Sequence, residues 1–361
     1  MASHTVALVP GDGIGPETSA AMQRVVEASG ADIVWDVAEA GAELGEELGT
    51  PLPASTIEAV KRNKVAIKGP VATPVGTGFR SVNVALRREL GLYACLRPVL
   101  SIPGAGGRYD GVDIVIVREN SEDLYAGIEF EEGSEGARKL IALCEEEGAG
   151  AIRPDSGISV KPISKAASER IVRFAFDYAR RHGRRKVTAV HKANIMKHTD
   201  GLFLRAAREV AAERAEDAAF EERIVDAFCM NMVMDPALFD VVVFPNLYGD
   251  IASDLAAGLV GGLGIAPGAN IGDEYAVFEA VHGSAPDIAG QDKANPTAQI
   301  LSAAMMLDHL GEAEAAERIR RAVRAVYAEG AHLTADIRKA TGSSKPAASC
   351  TEFTDALIAA F

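Results

Sequence analysis

Two aspartates four residues apart, Asp250 and Asp254, follow closely on the apolar run Val241-Val242-Val243-Phe244, within the segment Asn246-Leu247-Tyr248-Gly249-Asp250-Ile251-Ala252-Ser253-Asp254. If the run is a buried strand and the acidic segment opens a helix, both carboxylates lie on one helical face at a strand's carboxyl end. Two oxygen ligands then converge on one point. That suits a hard divalent cation such as Mg²⁺, which takes a few carboxylates and completes its octahedron with water or substrate oxygens. The same spacing also describes a solvated first turn whose aspartates favour the helix N-terminus, and spacing alone does not choose between the two.

Asn83 and Arg87 are also four apart and face the same way if residues 82–90 are helical, while Arg97 and Arg118 flank two strand-like segments. Three convergent guanidinium groups, each able to grip a carboxylate bidentately, suggest a polycarboxylate ligand. Any one of these arginines alone would pass for a surface residue. Lys192 stands one residue beyond a run ending near His191. It would act as a general base if burial or a nearby cation lowered its pKa, and is otherwise a surface lysine. Tyr125, in Ser121-Glu122-Asp123-Leu124-Tyr125-Ala126-Gly127, would donate the complementary proton or serve as a core or interface tyrosine. The glycines of Gly11-Asp12-Gly13-Ile14-Gly15 have the spacing G-x-G-x-G, not the dinucleotide fingerprint G-x-G-x-x-G, so by spacing they mark only a tight turn into a helix at Pro16-Glu17.

These residues need elements to hold them. Short apolar runs at residues 5–9, 65–67, 114–117, 187–190 and 241–244 alternate with helix-like stretches such as 164–180 and 200–219, an α/β pattern. Nearly every run ends in unusual polar residues (Lys68-Gly69-Pro70, Arg118-Glu119-Asn120, His191-Lys192-Ala193-Asn194), where open α/β sheets gather ligands. Residues 131–155, rich in Gly and Glu, read as an excursion from the main body. The glycine-dense stretch 258–272 reads as a connector at a lobe boundary, and residues 301–330 read as helical. A chain of 361 residues with 48% hydrophobic content exceeds the size at which single cores stop growing, so two lobes are expected.

The net charge of −14 argues against a nucleic-acid partner, though not against an anion held by local arginines. No stretch approaches the roughly 20 apolar residues of a membrane span, and the first nine residues lead directly into a strand-like run, so a cytoplasmic location without a membrane partner is expected. Cys95, Cys144, Cys229 and Cys350 form no C-x-x-C pair, which speaks against zinc and a disulfide framework.

From Gly11-Asp12-Gly13-Ile14-Gly15-Pro16-Glu17 to the C-terminal segment, the chain resembles the β-decarboxylating 2-hydroxyacid dehydrogenases, which include isocitrate, isopropylmalate and homoisocitrate dehydrogenases. The most specific matches are N-L-Y-G-D-I-A-S-D at 246–254, G-I-A-P-G-A-N-I-G at 264–272 and E-A-V-H-G-S-A-P-D-I-A-G at 279–290. The resemblance implies a two-lobed isopropylmalate dehydrogenase-like α/β fold, not a standard Rossmann fold, with the active site between lobes and across a homodimer. Residues 1–92 and 261–361 would form the large domain on the cofactor side, 93–125 and 165–260 the small domain, and 126–164 a clasp-like excursion.

It also implies that Asp250 and Asp254 bind Mg²⁺ or Mn²⁺, with Asp226 as a third ligand from the partner subunit. Ser81, Asn83, Arg87, Arg97 and Arg118 would bind substrate, Tyr125 would be the catalytic acid, and Lys192 the base contributed across the dimer. The cofactor pocket would comprise Ile14, Thr73, Asn194, His282, Gly283, Ser284, Ala285, Asp287, Ile288 and Asn295. In isocitrate dehydrogenases a Ser-x-Asn pair contacts the distal carboxylate, where isopropylmalate enzymes place apolar residues, so Ser81 and Asn83 favour isocitrate. Asp287 and Ile288 replace the Lys and Tyr with which bacterial NADP enzymes grip the 2′-phosphate, and Ala335 replaces a phosphate-binding tyrosine, so NAD is expected. Lys339 leaves room for residual NADP use. The implied reaction is oxidative decarboxylation of isocitrate to 2-oxoglutarate and CO₂ with reduction of NAD. Two alternatives remain open on the sequence: the same chemistry on homoisocitrate or another 3-substituted malate, and a non-catalytic regulatory subunit of a heteromeric dehydrogenase.

Overall fold

The computed structural model describes residues 3–42, 44–45, 49–72 and 81–361. Its strands, in chain order, are β1 (His4–Val9), β2 (Ile33–Val37), β3 (Val65–Lys68), β4 (Ala94–Leu100), β5 (Asp113–Glu119), β6 (Glu129–Phe130), β7 (Ile158–Ser159), β8 (Lys186–His191), β9 (Ala219–Ile224), β10 (Val241–Phe244), β11 (Pro267–Ile271) and β12 (Ala276–Ala280). Ten of them form one sheet in the order β2-β1-β3-β12-β11-β4-β5-β10-β8-β9.

The sheet consists of two parallel halves with an antiparallel seam. β2, β1, β3 and β12 pair in parallel, as do β5, β10, β8 and β9, whereas β12–β11, β11–β4 and β4–β5 are antiparallel. Parallel strands covered on both faces read as continuous apolar runs, which explains why β10 (Val-Val-Val-Phe) and β3 are buried at every position. The helices Lys165–Arg181 and Thr297–Leu310 pack against the two halves, the first on β5, β8 and β10 and the second on β11 and β12. The expected α/β class is the observed one.

Two expectations are refined. Part of the glycine-dense stretch 258–272 is a strand: β11 lies inside the sheet, hydrogen-bonded to β12 and β4. Pairing on both sides supplies what its sequence, Pro-Gly-Ala-Asn-Ile, lacks in β-propensity. The excursion around residues 131–155 contains a helix, Glu135–Glu146, between β6 and β7, which pair only with each other and lie outside the main sheet.

Candidate active site

β10 lies beside β5 with Phe244 opposite Arg118, so the helix Asn246–Val260 starts over the Arg118 side chain, which is 1% exposed. Gly249 permits this approach: a Cβ there would stand 2.6 Å from Arg118 Cβ and Cγ. The guanidinium donates from Nε and Nη2 to Asn246 Oδ1 at 2.9 and 2.7 Å, and from Nη1 to Asp250 Oδ1. The Tyr125 hydroxyl donates to the other oxygen of the same carboxylate, and the Arg118 guanidinium lies 4.7 Å from the Tyr125 ring centroid. The turn carrying Tyr125 is anchored to the same helix by Asn246 Nδ2 donating to Glu122 O (3.0 Å) and by Leu247 N donating to Asp123 Oδ2 (2.9 Å).

Arg97, on β4, donates to Ser253 Oγ and stands 3.5 Å from Asp250 and 3.4 Å from Asp254. Asp250 and Asp254 therefore do share a helical face, and it is turned toward two arginines. Burial opposes ionisation of Asp250, but Arg118, the Tyr125 hydroxyl and Arg97 outweigh it and hold its carboxyl below the ordinary range. Burial raises Asp254, with Arg97 opposing. Burial and the Asp250 carboxylate push the Tyr125 phenol up, so it keeps its proton at neutral pH.

Arg87 is on the helix Val82–Glu89, which Ser81 precedes as N-cap. One terminal nitrogen of Arg87 donates to Glu279 at 3.3 Å, while its Nε and the neighbouring Asn83 Oδ1 are buried without hydrogen-bond partners among the described residues. Both side chains line a cavity of about 130 Å³ together with Lys68, Arg97, Asn270 and Glu279. Buried polar atoms without partners are uncommon, and both residues that carry them line this cavity.

Lys192 and Asp226 form a separate group. β8 and β9 run in register up to His191 opposite Ile224, so the residues just beyond, Lys192 and Asp226, come together and the lysine Nζ donates to Asp226 Oδ1. Asp200 fixes the lysine backbone by accepting from Lys192 N at 2.7 Å. The lysine contact draws the Asp226 carboxyl below its ordinary range. Among the described residues, no hydrogen bond or ion pair links this group to Asp250 or Asp254. Asn194 is exposed two residues beyond Lys192. Large apolar side chains are exposed near both groups: Ile195, Met230 and Met234 near Lys192 and Asp226, and Ile251 next to Asp250.

The expected cofactor residues are grouped in part. Gly13 packs so closely on Ser284 that a Cβ would meet its carbonyl oxygen at 2.0 Å, and Ile14 N donates to Ser284 O at 2.9 Å. The turn Gly11–Gly15 thus forms one wall with residues 282–285. His282 Nδ1 lies 3.0 Å from Gly283 O, Nε2 is buried without a partner among the described residues, and burial lowers the imidazole pKa so that it is neutral at physiological pH. Ala285 adopts φ = 39°. Asp287 is exposed and Ile288 half-buried. Asn295 is buried, and its amide already bonds Asp336 (2.9 Å), Tyr327 (3.3 Å) and Thr297 (2.6 and 3.0 Å). Thr73 lies outside the described residues.

Sequence reasoning did not assign Lys68, Asn120, Asn270 and Glu279, which join side chain to side chain beneath Arg87. The available signal was a lysine at a strand's carboxyl end, Lys68, which must be paired if it is buried.

The isocitrate/isopropylmalate dehydrogenase family model matches residues 5–357. The chain is 48% identical to the mitochondrial NAD isocitrate dehydrogenase catalytic subunit 5 of Arabidopsis thaliana, over 98% of this chain and 87% of that one. It is 47% identical to a regulatory subunit of the mitochondrial NAD isocitrate dehydrogenase of Dictyostelium discoideum, over 98% and 90%. The crystal structure of isocitrate dehydrogenase from Methylococcus capsulatus superimposes with a TM-score of 0.89 at 48% identity, covering 99% of each chain. These relatives correct one expectation. The curated ones are named as mitochondrial proteins, which overturns the cytoplasmic expectation. The cytoplasmic expectation rested on the first residues of the chain, which do not decide a compartment. No helix of the described residues is long and apolar enough to cross a membrane.

Proposed function

The chain belongs to the isocitrate/isopropylmalate dehydrogenase family, and on that premise we propose that it oxidatively decarboxylates isocitrate to 2-oxoglutarate and CO₂ with reduction of NAD, in a site shared between two copies of the chain. The observation that carries this reading is the surroundings of Asp250: two guanidinium groups and a protonated phenol meet a carboxylate pair at the end of one strand. That set can grip a polycarboxylate, bind a cation and deliver a proton.

Arg87, Arg97 and Arg118 bind the substrate carboxylates, with Ser81 and Asn83 directed to the distal one. Asp250 and Asp254 are hard oxygen donors on one helix face and fit a divalent cation such as Mg²⁺ or Mn²⁺, with the partner subunit's Asp226 as third ligand. Such a cation acts as a Lewis acid toward the developing enolate. The partner subunit's Lys192 accepts the proton of the substrate hydroxyl, which makes hydride departure to the nicotinamide easier. After CO₂ leaves, the Tyr125 hydroxyl returns a proton to the enolate carbon. NAD would be held by Ile14 and residues 282–285, with Asp287 and Ile288 available to its ribose, where an aspartate would disfavour a 2′-phosphate.

The second copy is supported by the division of the polar groups. Lys192 and Asp226 stand apart from Asp250, and exposed Ile195, Met230, Met234 and Ile251 surround both groups as an interface would. The antiparallel seam of the sheet supports the two-lobed division, with residues 1–92 and 261–361 in one lobe and 93–125 and 165–260 in the other.

The likeness to the Dictyostelium discoideum protein favours a regulatory reading, and the presence of all five groups, Tyr125, Lys192, Asp226, Asp250 and Asp254, opposes it. The test is the initial rate of nicotinamide reduction by the purified chain with isocitrate and Mg²⁺, with NAD and NADP compared and a chelator control. Chelator-sensitive turnover that prefers NAD is expected. A higher kcat/KM on homoisocitrate would overturn the substrate assignment, and no turnover on any 3-substituted malate would overturn the catalytic reading.

A further inference from the structure

We infer that Glu279 is a positioning residue for isocitrate binding: a buried carboxylate behind Arg87 that sets the direction in which this guanidinium faces the substrate. The inference rests on the reading of Arg87 as a substrate ligand. Glu279, on β12, has only 11% of its side chain exposed, and each of its oxygens is engaged. Oε2 accepts from Lys68 Nζ at 2.5 Å; Oε1 accepts from Asn270 Nδ2 at 2.6 Å and from Arg87 at 3.3 Å. Asn270 in turn accepts from Asn120 Nδ2 at 2.8 Å, and Asn120 also donates to Leu92 O at 3.3 Å.

These partners come from rigid places. Lys68 ends β3, Glu279 and Asn270 belong to β12 and β11, and Asn120 follows β5, so the network spans the seam of the sheet. A carboxylate withdrawn from water is retained only with good partners, and Lys68 and Arg87 outweigh the burial, holding its carboxyl far below the ordinary range. Arg87 is the one member on a helix, and among the described residues it is the one with an unpartnered nitrogen, Nε. Glu279 thus holds one edge of the guanidinium while leaving another free.

The charges point the same way. Lys68 and Arg87 bring two positive charges to one negative charge, which leaves one positive charge to be matched by a ligand carboxylate. This arrangement separates three possible roles by sign. If Glu279 merely adds negative charge, E279Q strengthens isocitrate binding. If it only supports the fold, the thermal midpoint falls and KM is unchanged. If it aims Arg87, KM rises even though a repulsive charge has gone.

The experiment measures isocitrate KM, kcat, NAD KM and thermal midpoint for E279Q, E279D, R87M and R87M/E279Q. E279D keeps the charge but is one methylene too short for the contact. Both Glu279 variants are expected to raise isocitrate KM on the order of tenfold, with kcat and NAD KM changed less than about twofold. In the R87M background E279Q is expected to add nothing, because its effect acts through Arg87. E279Q leaves the buried Lys68 ammonium without a carboxylate, so K68M/E279Q, which removes that ammonium as well and leaves only Arg87 to be matched by the ligand, is measured beside it and is expected to show the same KM rise. An unchanged or lowered KM in folded E279Q or K68M/E279Q, or an E279Q effect undiminished in R87M, would overturn the proposal. R87M without effect on isocitrate KM would instead remove the reading of Arg87 on which it rests.

Discussion

Asp250 and Asp226 each sit within the first turns of a helix that follows a parallel strand, and they share little else. Asp250 meets Arg118, Arg97 and Tyr125, and its side chain is two-thirds withdrawn from solvent. Among the described residues Asp226 meets Lys192 alone, and it is 67% exposed. The cause is the sheet order. β10, which delivers Asp250, is an interior strand with β5 on one side and β8 on the other, so the end of β5 supplies Arg118. β9, which delivers Asp226, is the edge strand, and β8 is its one neighbour in the sheet. Chemistry at the end of an interior strand is completed by the chain itself. At an edge strand one side stays open, and under the proposed function a second copy closes it.

The largest effect should come from the open side. Lys192→Met is expected to lower kcat by about 10²–10⁴, the usual contribution of general acid–base catalysis, while isocitrate KM changes little. Turnover near wild type would move the base elsewhere and break the comparison. The next effect is on assembly. Met230→Asp with Met234→Asp places carboxylates on the exposed apolar face of the helix Val225–Met234, and juxtaposed like charges should raise the dimer dissociation constant on the order of 100-fold. Light scattering coupled to size-exclusion chromatography would read this shift, with activity falling in step. A dimer as tight as wild type would place the interface on another face. The smallest effect sharpens the contrast between the two aspartates. Asp226→Asn should move the thermal midpoint of the isolated monomer by no more than about 2 °C, because exposed ion pairs contribute little. Asp250→Asn, which leaves the buried Arg118 underpaired, should lower it by several times as much, and equal shifts would remove the distinction.

The interior cluster was the more legible of the two in the sequence. Asp250 and Asp254 are neighbours through helical periodicity and Arg118 stands at the end of an apolar run, so local pattern placed each at a strand's carboxyl end, although the contact between Arg118 and Asp250 needed the structure. Lys192 and Asp226 are brought together by strand pairing, which leaves no periodic trace, and the place of Asp226 came only from the family resemblance. Glu279 and Lys68 were missed for the same reason: their contact needs β12 to insert beside β3, a pairing between segments far apart in the chain. The strand β11 was hidden because Gly, Ala and Pro read as a connector unless both neighbours are known. Asn295 lies in the stretch expected to face the cofactor, yet its amide is occupied by Asp336, Tyr327 and Thr297, a fact of packing that residue type does not reveal.

The antiparallel seam has a consequence for how the chain reaches this state. β3 and β4 follow one another in sequence, but β12 and β11, contributed by residues 267–280, lie between them in the sheet. Until that late segment has been synthesised, β3 and β4 each present an unsatisfied edge. Non-local pairing of this kind raises contact order and slows folding, and unpaired strand edges invite association. The emerging polypeptide therefore depends, over most of its synthesis, on whatever shields those two edges.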